Sequence, residues 1–164
     1  MKMSVQAGKS FPLMSYFLGT LLLLCGSLTY AQENSSAPLL SPEQAFAFTV
    51  ESTAQNQARL HWSIQPNYYL YQHKFEVQQG NQPVALTLPK AVEQYDENYG
   101  HSQVYYQQAE FSIPTQASQH YRVTWQGCAK DRICYPPQNI EFQTDADGLV
   151  SAQNVSANSQ KSFL

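Results

Sequence analysis

Apolar and polar residues alternate with period two at four places in the chain. The apolar positions are Phe46, Phe48 and Val50, then Leu60, Trp62 and Ile64, then Val84, Leu86 and Leu88, then Tyr121, Val123 and Trp125. Period two is the spacing of side chains on one face of a β-strand, and no segment sustains the longer period of an amphipathic helix. The pattern therefore predicts an all-β domain.

Turn-forming residues separate these runs. They occur at Gln65-Pro66-Asn67, Gln79-Gly80-Asn81, Leu88-Pro89-Lys90, Tyr99-Gly100 and Ile113-Pro114. This spacing fits several short antiparallel strands joined by tight connections. We therefore expect an immunoglobulin-like β-sandwich.

The first 31 residues have a different character. Lys2 and Lys9 precede an apolar run from Phe11 to Leu28, which ends in the small-residue exit around Ala31. This order is typical of a cleaved signal peptide, and a membrane anchor is the alternative because the run approaches the length of a membrane span. We expect a signal peptide at 1–31, an N-terminal lead at 32–40, a folded domain at 41–144 and a polar linker or tail at 145–164.

Cleavage after Ala31 changes the charge and the cysteine count. The remaining 133 residues carry seven basic and twelve acidic side chains, a net charge of −5, which argues against a nucleic-acid partner. Two cysteines remain, Cys128 and Cys134, in an exported chain whose thiols can be oxidised.

The spacing of these two cysteines leaves two interpretations open. A disulfide between them would close a short loop, for which chain entropy gives only about 2–2.5 kcal/mol, so a structural staple would be better placed elsewhere. Lys130 and Arg132 lie between the cysteines and favour a thiolate electrostatically. The pair is either redox-active or a local structural disulfide of an exported domain.

Metal binding is a third possibility. The chain has four histidines, and none falls at ligand spacing with the cysteines: His61, His73, His101 and His120. We expect no metal site and no cofactor. A metal-handling protein nevertheless stays open as a class until metal binding after reduction is measured.

Three segments resemble one known family. The segment from Gln126 to Pro137, which reads QGCAKDRICYPP, is similar to the active-site hairpin of the N-terminal periplasmic domain of the thiol:disulfide interchange protein DsbD. The segment Tyr68-Tyr69-Leu70-Tyr71 resembles the aromatic strand beside that family's cysteines, and the segment from Asp96 to Gly100 resembles its cap loop. The resemblance runs from about Ser41 to Phe142, and three motifs in the family's order are more specific than one.

The resemblance implies a reaction and its partners. In that family an immunoglobulin-like sandwich receives electrons from membrane-embedded and thioredoxin-like domains and reduces periplasmic thioredoxin-fold proteins, including a disulfide isomerase and a cytochrome c-maturation factor. By the same resemblance, Cys134 is the nucleophile and Cys128 the resolving cysteine. The chain carries no membrane domain and no Cys-x-x-Cys domain after residue 164, so we expect a fragment of a longer protein attached to the inner membrane, with a free-standing module as the alternative.

The resemblance also assigns surroundings to the cysteines. We expect Tyr69 and Tyr71 to pack against the sulfur atoms and exclude water, and Tyr68 and Leu70 to be core residues. Asp96 and Glu97 would disfavour a nearby thiolate, or accept a proton once a partner docks; a solvated acidic loop is the alternative.

The chain departs from the family at two positions. Asn98 stands where the family's cap loop commonly presents an aromatic residue over the disulfide, and Ile133, before the second cysteine, is apolar but not aromatic. Shielding of the disulfide is therefore weaker in this chain, or it falls to Tyr99 or Tyr95.

Overall fold

The domain is built almost entirely from short strands. The computed structural model describes residues 38–96, 99–151 and 156–157, with the backbone alone at 96, 156 and 157. Within these ranges the helical elements are a one-turn helix, α1 (Pro42–Ala45), and a 3-10 turn (Gln72–Lys74). The strands are β1 (Phe46–Ala54), β2 (Gln57–Ile64), β3 (Tyr68–Tyr71), β4 (Glu76–Gln79), β5 (Gln82–Pro83), β6 (Val92–Asp96), β7 (Gly100–Tyr105), β8 (Gln108–Pro114), β9 (His120–Trp125), β10 (Gly127–Ala129), β11 (Ile133–Cys134), β12 (Gln138–Gln143) and β13 (Ser156–Ala157).

These strands form three antiparallel sheets. Their orders are β1-β2-β8, β11-β10-β3-β7-β6 and β13-β12-β9-β4-β5. Apolar side chains from all three sheets fill one core, so the predicted immunoglobulin-like sandwich is confirmed. Both cysteines belong to the second sheet, because β11 is the strand at one edge of this sheet and β10 is the strand next to it.

Three of the four alternating runs are strands, as predicted. They lie in β1, β2 and β9, and the inward positions are buried or half-buried at every second residue. Trp62 of β2 lies at the centre of the core with no exposed surface. Its ring is 4.8, 4.8, 5.4 and 5.5 Å from the rings of Phe48, Phe75, Phe111 and Trp125 respectively.

The fourth run, from Val84 to Leu88, is not a strand, and the prediction is wrong there. The strand β5 ends at Pro83; the Val84 amide still donates to the Val77 carbonyl of β4 at 2.8 Å, but residues 84–91 belong to no strand. Pro83 and Pro89 flank the run and have no backbone N–H to donate to a ladder. The alternation still has a cause, since Val84, Leu86 and Leu88 pack half-buried against the core from an extended connection.

The folded region extends past residue 144, where the sequence predicts a tail. The Asp145 carboxylate accepts hydrogen bonds from the amides of Asp147 and Leu149, both at 2.9 Å. The Thr115 hydroxyl donates to the carbonyl of Gly148 at 2.9 Å. A turn can therefore order this polar segment through hydrogen bonds, without the apolar surface whose absence suggested a tail.

The predicted signal peptide and most of the N-terminal lead lie outside the described residues, as does the chain after 157. Among the residues that the structure does describe, no helix has both the length and the apolar character needed to cross a membrane.

Candidate active site

A two-stranded hairpin places the two cysteines opposite each other. In the antiparallel pairing of β10 with β11, Cys128 is the direct partner of Cys134, and their Cα atoms are 3.9 Å apart. The two residues form a disulfide. Between the strands the chain reverses at Asp131, whose φ is +56°, a conformation that aspartate tolerates better than most residues. The predicted disulfide is thus part of a local hairpin.

Gly127 lets this hairpin approach the rest of the sheet closely. Its strand β10 pairs with β3, and a Cβ atom at residue 127 would lie 2.5 Å from the Tyr69 carbonyl oxygen, 2.6 Å from Phe46 Cζ and 2.7 Å from Leu70 Cδ2. Real Cβ atoms do not make contacts this short, and a backbone oxygen cannot swing aside. Only glycine fits before Cys128.

The two sulfur-bearing residues differ in accessibility. Cys128 is 1% exposed, whereas Cys134 is only half-buried and follows Ile133, which is 44% exposed. A reagent or a partner protein therefore reaches Cys134 first.

Tyr71 supplies a hydrogen-bond donor to the disulfide. Its hydroxyl oxygen lies 3.1 Å from Cys128 Sγ and 3.6 Å from Cys134 Sγ. Because the sulfurs of a disulfide carry no hydrogen, the hydroxyl is the donor. Tyr71 has no exposed surface, so its ring is fixed by the core.

Tyr69 lies in the same layer. It is the direct partner of Cys128 in the β3–β10 ladder and is 3% exposed. Its ring meets the edge of Tyr71 at a centroid distance of 5.4 Å. Tyr69 and Tyr71 thus form one buried cluster with Cys128, while Tyr68 and Leu70 face the main core.

Tyr99 is the aromatic residue that the β6–β7 hairpin brings to this cluster. Its ring is 4.9 Å from that of Tyr71, and its hydroxyl donates to Gln126 Oε1 at 3.4 Å. Tyr95, by contrast, is 69% exposed and packs against His101 at 5.5 Å. Of the two tyrosines, the structure brings Tyr99 to the site.

The acidic cap residues are only partly described. Asp96 is described by its backbone, which pairs with Gly100 across the β6–β7 hairpin. Glu97 and Asn98 lie outside the described residues, so their expected roles stay predictions.

The structure adds His73 and Lys74, neither of which the sequence singled out for the site. Lys74 Nζ lies 4.6 Å from the centre of the Tyr99 ring, and the His73 ring lies 5.4 Å from that of Tyr71. Partial burial first, and the charge of Lys74 second, lower the pKa of His73 from its ordinary value, which disfavours the imidazolium form. The only sequence signal was their position directly after the aromatic strand.

Metal-binding side chains do not cluster in the described ranges. No group of three or more His, Cys, Asp or Glu residues there could hold an ion. The site thus contains one accessible sulfur, one buried sulfur and a phenol hydroxyl group that lies close to both.

Comparison with known proteins gives concordant results. The family model described as "Thiol:disulfide interchange protein DsbD, N-terminal" matches residues 36–146. The DsbD 2 protein of Pseudomonas aeruginosa is 36% identical over 141 residues, which cover 80% of this chain and 24% of that protein. The DsbD protein of Pseudomonas fluorescens is 34% identical over 145 residues, covering 87% of this chain and 25% of that protein. The chain thus spans about a quarter of the length of these relatives.

Two solved structures from Neisseria meningitidis are similar to this domain. The reduced form of the DsbD N-terminal domain has a TM-score of 0.60 and 29% identity, covering 68% of this chain and 93% of that one. The complex of the DsbD and PilB N-terminal domains matches with a TM-score of 0.57 and 28% identity, covering 71% of this chain and 95% of that one.

Proposed function

The chain belongs to the family of DsbD N-terminal domains, and from this we propose that it performs thiol:disulfide exchange through Cys128 and Cys134, as a protein-disulfide reductase component. The observation that carries the proposal is the difference in exposure between the two sulfurs of one local hairpin. A half-buried Cys134 is open to attack, and a buried Cys128 stands within bonding distance to complete the exchange.

The reaction transfers two electrons in two displacements. In the reduced protein, the Cys134 thiolate attacks one sulfur of an oxidised partner, forming a mixed disulfide and releasing the partner's second sulfur as a thiolate. The Cys128 thiolate then attacks Cys134 Sγ, which releases the reduced partner and restores the disulfide seen here. The same steps in reverse reload the domain from a donor dithiol.

The donors and acceptors follow from the family. We infer that a membrane-embedded domain and a thioredoxin-like domain supply the electrons, and that periplasmic thioredoxin-fold proteins receive them, among them a disulfide isomerase and a cytochrome c-maturation factor. The Neisseria DsbD N-terminal domain forms a complex with the PilB N-terminal domain, which supports docking of a second protein on this fold. Residues 1–31 would direct export to the periplasm and then be cleaved, with attachment to the inner membrane if the chain is part of a longer protein.

Trapping of the mixed disulfide tests this proposal. We expect Cys128→Ser, mixed with an oxidised thioredoxin-fold partner, to form a covalent complex on a non-reducing gel, because the resolving step is blocked. Cys134→Ser is the matched control and should form none.

The opposite result has a defined meaning. If neither variant captures the partner, and the wild-type disulfide also resists a thioredoxin-like reductant, the disulfide is structural. The domain would then be a non-catalytic immunoglobulin-like binding module.

A further inference from the structure

Lys74 contacts Tyr99, the cap-loop residue whose side chain the structure places at the site. Its ammonium group lies over the Tyr99 ring at 4.6 Å, within the range of a cation–π interaction. Lys74 is half-buried, so water screens this attraction only in part. The exchange steps proposed above give Lys74 no role.

Tyr99 needs such a contact because burial alone does not fix its ring. The side chain is 41% exposed and follows directly after the tip of the β6–β7 hairpin. The contacts that orient it include the ring of Tyr71 at 4.9 Å, the ring of His73 at 5.5 Å, the amide oxygen of Gln126 and the Lys74 ammonium. Three of these four come from the end of β3 and the 3-10 turn that follows it.

A continuous series of contacts therefore joins Lys74 to the disulfide. The cation lies against Tyr99, Tyr99 meets Tyr71 edge-on, and the Tyr71 hydroxyl lies 3.1 and 3.6 Å from the two sulfurs. A change at Lys74 can reach the sulfurs through two rings without touching them.

We propose that Lys74 is a positioning residue for the exchange reaction: its ammonium group holds the Tyr99 ring against Tyr71, and the ring limits approach to Cys134 until a partner displaces it. The inference rests on the proposed function, since it concerns access to the attacked sulfur. Of the alternatives that the sequence left open for shielding the disulfide, it selects Tyr99, held by Lys74. The His73 ring packs against the same ring, and the lowered pKa of His73 disfavours a second cation there.

The rate of reduction by dithiothreitol, which needs no partner protein, tests this role. We expect Lys74→Met to raise the second-order rate constant by about two- to fivefold, the loss of a partly exposed cation–π contact, and Lys74→Arg to stay near the wild-type rate. Dithiothreitol attacks as a thiolate, so loss of a positive charge alone would slow the reaction. Lys90→Met, which removes an exposed lysine elsewhere, is the matched control and should leave the rate unchanged.

A second variant, Tyr99→Leu, distinguishes a positioning role of Lys74 from a general structural role. In Tyr99→Leu the ring is already absent, so adding Lys74→Met should not raise the rate further, and only the slowing from the lost charge remains. An unchanged or lower rate in Lys74→Met, a Lys74→Arg variant as fast as Lys74→Met, or an additive increase in the Tyr99→Leu background would each overturn the proposal. If Cys128→Ser traps no partner while Lys74→Met still accelerates reduction, the proposed exchange function is wrong, but the proposed control of access to the disulfide by Lys74 is supported.

Discussion

Tyr71 is a buried residue whose hydroxyl group lies close to both sulfur atoms. Its ring is fully buried and its hydroxyl donates to the disulfide, nearer to Cys128 than to Cys134. When a thiolate attacks Cys134, the sulfur that leaves is Cys128, which becomes negatively charged in a buried position. The phenol thus stands where a donor to that charge is needed.

Substitution of Tyr71 by phenylalanine tests whether the hydroxyl group stabilises the leaving sulfur of Cys128. The change keeps the ring and removes the donor, and a hydrogen bond to a charged group is worth about 1.5–3 kcal/mol. We expect Tyr71→Phe to slow reduction by dithiothreitol about tenfold or more. Tyr95→Phe, which removes an exposed hydroxyl on β6, should react like the wild type; equal rates in both variants would contradict the role of Tyr71.

The site residues that the sequence predicted are those with a local signature. Cys128, Cys134, Tyr69 and Tyr71 stand in two short motifs, and the hairpin and the adjacent strand bring them together. Lys74 could not be found in this way. Its contact with Tyr99 exists only because the turn after β3 and the tip of the β6–β7 hairpin meet, which is a property of sheet order rather than of spacing.

Turns decide where the elements of this domain begin and end. The predicted turns at Gly80 and Gly100 are confirmed, and both glycines have positive φ. The strand predicted from Val84 to Leu88 is wrong, since the pairing ends with the Val84 amide and Pro89 has no amide hydrogen to donate to a ladder. The segment after 144 is more ordered than its composition predicts, since hydrogen bonds accepted by the Asp145 carboxylate and donated by the Thr115 hydroxyl order a polar sequence.

A pair of glycine substitutions tests the turn at 145–151. Gly148 has φ +76° and a Cβ atom there would strike the Asn56 side chain, whereas Gly80 has φ +57° with nothing within 4 Å. Gly80→Ala should cost only the positive-φ strain, about 1–2 kcal/mol, and Gly148→Ala more than that, because the exposed Asn56 side chain must also move aside. Urea unfolding measures both; equal costs would mean that the turn does not pack on the domain.

Buried phenols make the whole domain sensitive to alkali. Burial, with Tyr68 as the next cause, raises the pKa of Tyr135 from 10.0 to about 12, and its hydroxyl donates to the Leu40 carbonyl at 2.6 Å. Burial also raises the pKa of Tyr105 and of Tyr121. These groups favour folding while they are protonated.

The sign of the pH effect follows. The folded-state pKa lies above the unfolded one, so the contribution of Tyr135 is complete below pH 10 and is lost as the pH rises toward 12, by about 2–3 kcal/mol for two pKa units. We expect the free energy of unfolding, measured in urea between pH 8 and pH 12, to fall less steeply for Tyr135→Phe than for the wild type. Parallel curves for the two proteins would contradict this.

The short separation of Cys128 and Cys134 has a thermodynamic consequence for the stability of the domain. The disulfide closes only a small loop in the unfolded chain, so reduction lowers the stability of the fold by only about 2–2.5 kcal/mol in the chain-entropy estimate. By reciprocity, the entropy of this loop biases the redox equilibrium by no more than that. On this estimate the disulfide and dithiol forms of the domain differ little in conformational stability.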